Sequence, residues 1–66
     1  MKTLIKVERA KLNMTQQDLA DAVGVSRQTI NSIEVSRYVP STILALKISA
    51  IFKKSVNEVF ELEKND

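Results

Sequence analysis

Within the stretch "SRQTINSIE", four side chains able to make directed hydrogen bonds sit at spacings that a helix would turn into one face. At about 100° per residue, Arg27, Gln28, Asn31 and Ser32 fall within one arc of about 140°, while Ile30 and Ile33 lie on the other side. That polar face carries no acid. A guanidinium can donate two bonds to guanine O6 and N7, and a carboxamide can pair with adenine N6 and N7. Each such contact is worth roughly 1–3 kcal/mol of discrimination. Arg27 and Gln28 come first in the segment, at the end of a recognition helix that approaches the bases. For these two, base readout is the stronger reading; Asn31 and Ser32 divide more evenly between base contact and solvated surface.

Such a face needs elements that hold it outward. Counting from Gln16 in "QQDLADAVGVSRQTINSIEV", apolar residues stand at places four, eight, ten, fifteen and eighteen: Leu19, Val23, Val25, Ile30 and Ile33. Ala20 stands at five and Gly24 at nine. That is a helix-turn-helix spacing: the small Ala20 lets two helices cross closely, Gly24 makes the turn, and the five apolar residues bury the inner angle. Two plain amphipathic helices would share the apolar period. They would not require Ala and Gly at those offsets.

The flanks predict three further helices. The first spans about Thr3 to Leu12, with Ile5, Arg9 and Leu12 on one face and Asn13 as its stop. Thr15 and Asp18 form a capping box for the second helix, and Ser26 caps the third, which runs to about Val35. Pro40 favours extended geometry at Val39, and Ser41 caps a fourth helix to about Phe52. Its Ile43, Leu44, Leu46, Ile48, Ile51 and Phe52 mark it as the central core helix. Ser55 and Glu58 box a short last helix to about Phe60. The alternation in "FELE", with "MKTLIK" as its partner, is the one hint of a terminal strand pair, and such short strands are marginal. The expectation is an all-α fold, a single domain over residues 1–66.

Length and charge narrow the function classes. Sixty-six residues bury only about 60% of the unfolded chain's surface, leaving little room for an enclosed substrate pocket. Residues 1–57 carry nine Lys/Arg against four Asp/Glu, whereas residues 58–66 carry one Lys against four acids. A basic body suits a polyanionic partner. With no histidine or cysteine, no Gly-rich phosphate loop and no metal-spaced carboxylates, an enzyme is not expected, nor is a cofactor. The absence of a secretory h-region or a run of about 18 apolar residues reads as a soluble, cytoplasmic protein.

From Ile5 to Phe60 the chain resembles the Cro/C1-type, lambda-repressor-like helix-turn-helix regulators. "TQQDLADAVGVSRQTINSIE" is close to a family consensus, and "YVPSTILALKISAIFKKSVNEVF" is similar to the fourth and fifth helices of short stand-alone members. The resemblance implies a compact five-helix domain whose third helix enters the major groove. It also implies base contacts at Arg27, Gln28, Asn31 and Ser32, with backbone contacts near Thr15, Gln16, Arg37 and Tyr38. Gln16 also sits where free helix amides attract phosphate, and Lys11 is a further candidate phosphate contact. Arg9, inward on the first helix, and Glu34, next to buried Ile33, are expected to form a structural ion pair, as the family does at matching positions. The chain departs from the family after Glu34. Many relatives have Asn-Gly where this chain has Val35-Ser36, and Asn before the proline where it has Val39.

One such domain makes few base contacts, so a homodimer on two half-sites about 34 Å apart is expected. The dimerisation segment is read as residues 55–66, through Val56, Val59, Phe60 and Leu62. Two other readings fit the sequence less well. A protein-interaction module such as an antitoxin would carry more chain beyond its last helix, and RNA binding would want more aromatic residues for stacking.

Overall fold

The computed structural model describes residues 1–66 and contains five helices and a two-stranded sheet. In chain order these are β1 (Lys2–Thr3), α1 (Ile5–Lys11), α2 (Gln16–Val23), α3 (Arg27–Glu34), α4 (Thr42–Ile51), α5 (Val56–Val59) and β2 (Phe60–Glu61). The two strands pair antiparallel, Lys2 against Glu61 and Thr3 against Phe60. The Leu4 amide extends that ladder by donating to the Val59 carbonyl at 2.8 Å. This pairing takes Thr3 out of the first helix, which therefore starts two residues later than its periodicity predicts.

Local chemistry sets the remaining boundaries. Asn13 ends the α1 segment in the left-handed region, at φ 53°. The Thr15 hydroxyl accepts from the Asp18 amide while the Asp18 carboxylate accepts from the Thr15 amide, closing the box at the head of α2. Gly24 adopts φ 78° and ends α2. Ser26 and Ser41 accept from Thr29 and Leu44 and start α3 and α4. At α5, Glu58 accepts from both the amide and the hydroxyl of Ser55.

The core collects one face of every helix: Ile5, Leu19, Ala20, Val23, Ile30, Ile33, Leu44, Ile48, Phe52, Val59 and Phe60. So small a core covers α4 on one side only. Leu44 and Ile48 are buried, whereas Ile43 and Leu46, expected in the core, are 68% and 55% exposed. Leu12 is exposed as well. Glu8 is buried, and its carboxylate lies 3.3 Å from the Lys11 ammonium and 3.6 Å from that of Lys54, linking α1 to the segment after α4.

Candidate nucleic-acid interface

The inner angle between α2 and α3 is fully dry. Leu19, Ala20, Ile30 and Ile33 have no exposed surface, and Val25 in the turn is half-buried. With Ile30 and Ile33 turned inward, Arg27, Gln28 and Asn31 project as exposed side chains, with Ser32 half-buried beside them.

Polar hollows flank this ridge. On one side Arg27 joins Asn13, Thr15, Gln16 and Gln17 around an open hollow of about 730 Å³. On the other, Ser26, Gln28, Thr29, Ser32 and Tyr38 line a groove of about 310 Å³. Asn13 and Gln17, which the sequence reading does not single out, are part of this lining; the signal for Asn13 is its place as the left-handed stop two residues before the Thr15 cap. With the Asp18 amide taken by the Thr15 hydroxyl, the Gln16 and Gln17 amides are the ones at the head of α2 without an intrahelical partner, and the helix dipole favours an anion there. Thr15 and Gln16 stand at that position.

Behind the ridge is a bonded polar cluster. Arg9 Nε and Nη2 donate to the two carboxylate oxygens of Glu34 at 2.7 and 3.1 Å, and Nη1 donates to the Met14 carbonyl at 2.8 Å. The side chains are 13% and 7% exposed, so this forked pair is largely shielded from water. Hydrogen bonding to the carboxylate raises the Arg9 pKa further, keeping the guanidinium charged. Gln16 Nε2 donates to Glu34 Oε1 and to Asn31 Oδ1, each at 3.2 Å, and Arg27 Nη1 reaches Gln16 Oε1 at 3.5 Å. The cluster thus ties α1, α2 and α3 together at the base of the exposed ridge.

The loop after α3 differs from the family pattern in sequence yet keeps a tight turn. Ser36 takes the left-handed conformation, φ 62°. Its hydroxyl donates to the Met1 carbonyl at 2.8 Å, and the amides of Arg37 and Tyr38 donate to the Ser32 carbonyl. Both side chains are exposed. Lys11 reaches the buried Glu8 rather than either hollow.

Burial corrects half of the expected dimer surface. Val59 is fully buried and Phe60 nearly so, because the short sheet and α5 close the core over them. Val56 is half-buried, and Leu62 is 83% exposed. Val56 also lines a shallow apolar groove of about 220 Å³ with Val39, Pro40, Ala45 and Leu46.

A family model described as helix-turn-helix matches residues 5–59, the whole span from α1 through α5. The chain belongs to the Cro/C1-type helix-turn-helix family of transcriptional regulators, a family without enzymatic activity. It is 44% identical over 66 residues to YgzD of Bacillus subtilis, an uncharacterized HTH-type transcriptional regulator, with all of both chains covered. It is 46% identical to one of Methanocaldococcus jannaschii, again over the whole of both chains. A third, from Archaeoglobus fulgidus, is 44% identical over all of this chain and 93% of its own. No helix is long and apolar enough to cross a membrane.

Proposed function

We propose that this chain is a sequence-specific regulator of transcription, a repressor, that inserts α3 into the major groove of duplex DNA as a homodimer in the cytoplasm. The observation that carries this reading is the exposed, acid-free ridge of Arg27, Gln28 and Asn31, with Ser32 beside it, on a helix whose opposite face is fully buried. Arg27, Gln28, Asn31 and Ser32 read base edges. The start of α2, at Thr15 and Gln16, together with Arg37 and Tyr38 and with Lys11 further out, meets the phosphate backbone, which positions the protein without reading sequence.

Four reading side chains define only a few base pairs, and a two-fold pair doubles them on a symmetric operator. The second copy docks on the groove formed by Val39, Pro40, Leu46 and Val56, and the exposed Leu62 adds apolar surface to the pairing. Charge favours the same pairing, because the tail from Glu58 to Asp66 is acidic and the remaining body is basic. Selection from a random duplex library at physiological salt tests the function. The expected result is a single two-fold-related sequence, and equal retention of all duplexes would overturn it. Placing that sequence across a promoter in purified transcription then distinguishes repression, a fall in transcript, from activation.

A further inference from the structure

A carboxamide can meet a partner either way round, but a carboxylate can only accept. Glu34 accepts two hydrogen bonds from the Arg9 guanidinium, and its Oε1 lies 3.2 Å from the terminal amide of Gln16. The Gln16 atom facing it must therefore be Nε2. That same nitrogen lies 3.2 Å from the side chain of Asn31, so the Asn31 atom facing it must be Oδ1. The remaining oxygen, Gln16 Oε1, faces the Arg27 guanidinium, which is itself only a donor. One buried ion pair thus imposes a direction on every amide in the cluster.

We infer that Glu34, acting through Gln16, fixes the polarity with which Asn31 meets the major groove, making Asn31 a hydrogen-bond donor there. Its Oδ1 is held toward Gln16, which turns Nδ2 the other way. Asn31 then offers the two hydrogens of Nδ2, which suit the paired acceptors of guanine, O6 and N7, better than the edge of adenine, where N7 stands beside a donor and the two-bond pairing needs Oδ1 turned to the base. Gln16 is a positioning residue: both of its amide hydrogens are engaged inside the protein, so a phosphate at the head of α2 is held by backbone amides. Arg9 and Glu34 thereby acquire a part in specificity as well as in packing.

This inference rests on the duplex-reading function proposed above, and its test separates the two. Asn31→Ala first identifies, by selection on random duplexes, the half-site position that Asn31 reads. At that position the native chain is expected to take guanine. Gln16→Met keeps the side-chain length and the Arg9–Glu34 pair but removes the relay. It is expected to shift that one position toward adenine by on the order of fivefold, the low end of what one base contact discriminates, with the other positions unchanged. A purely structural Gln16 would weaken all duplexes alike.

A second readout needs no DNA: in the free protein the Gln16 side-chain amide protons exchange more slowly than those of Gln28, which has no partner in the chain. Equal exchange, adenine selected by the native chain at that position, no position altered by Asn31→Ala, or preferences untouched by Gln16→Met would each overturn the inference and leave the regulator standing. A native chain with no base preference anywhere would remove the regulator reading itself.

Discussion

At the scale of single residues, Arg9 shows how a charge can be placed inside so small a protein. Its guanidinium is desolvated, but all the donors it turns inward have acceptors: two Glu34 oxygens and the Met14 carbonyl. Removing one member of such a pair is costly because the other is left without its counter-charge. Arg9→Met is expected to lower stability by about 3 kcal/mol, the lower edge of the range for buried pairs, since Gln16 still donates to Glu34. A urea titration followed by circular dichroism measures it. An unchanged midpoint would mean that Glu34 finds water as readily as it found Arg9. For a chain of this size, about 3 kcal/mol is a large part of the whole folding free energy.

At the scale of elements, the helices are short and their ends carry much of the information. Gly24 is the clearest case. A Cβ built there meets nothing within 4 Å, yet φ is 78°. Gly24→Ala should therefore cost only the left-handed backbone penalty, about 1–2 kcal/mol, with no steric repacking, and thermal unfolding at fixed pH is the measurement. A larger loss would indicate that the α2–α3 angle itself had moved.

The capping boxes add a pH dependence. Hydrogen bonds from the Thr15 amide and hydroxyl depress the pKa of Asp18, and the Ser55 amide and hydroxyl do the same for Glu58. A carboxylate whose folded pKa lies below its unfolded one binds more protons when unfolded, so its stabilisation is present at neutral pH and lost as pH falls through the folded pKa. The urea midpoint is expected to decline between about pH 5 and pH 3, and Asp18→Asn to flatten that decline. An equally steep decline in the variant would place the acid sensitivity elsewhere. Both carboxylates are exposed, so the effect is modest.

For the molecule as a whole, the distribution of apolar and charged surface governs association. Val39, Ile43, Leu46 and Leu62 are each more than half exposed, more apolar surface than a lone domain of this size has reason to show. Leu46→Glu is expected to convert a dimer to a monomer in sedimentation equilibrium while leaving the helical spectrum intact. Equal mass for both proteins would move the interface off this groove. DNA affinity should fall steeply and linearly with salt on logarithmic axes as phosphate contacts release counterions. Replacing Arg37 by alanine should reduce that slope by about 1 if its guanidinium meets a phosphate.

Sequence alone determined whatever local chemistry dictates. The caps at Thr15, Ser26 and Ser41, the left-handed stops at Asn13 and Gly24, and the Ala20 crossing are each decided within a few residues by hydrogen bonding or sterics, so helix order and the outward face of α3 were legible. Tertiary structure decided what depends on partners distant in the chain. The Lys2–Thr3 strand exists because Phe60–Glu61 lies beside it, and Val59 and Phe60 are core because that pairing closes over them. Ile43 and Leu46 stay outside because one small core covers only one side of α4. The polar face of α3 joins the two. Its residue types are written in the sequence, but which atom of Asn31 faces outward is set by Glu34 and Arg9, brought together from 25 residues apart, because only a folded neighbour can fix the direction of a hydrogen bond.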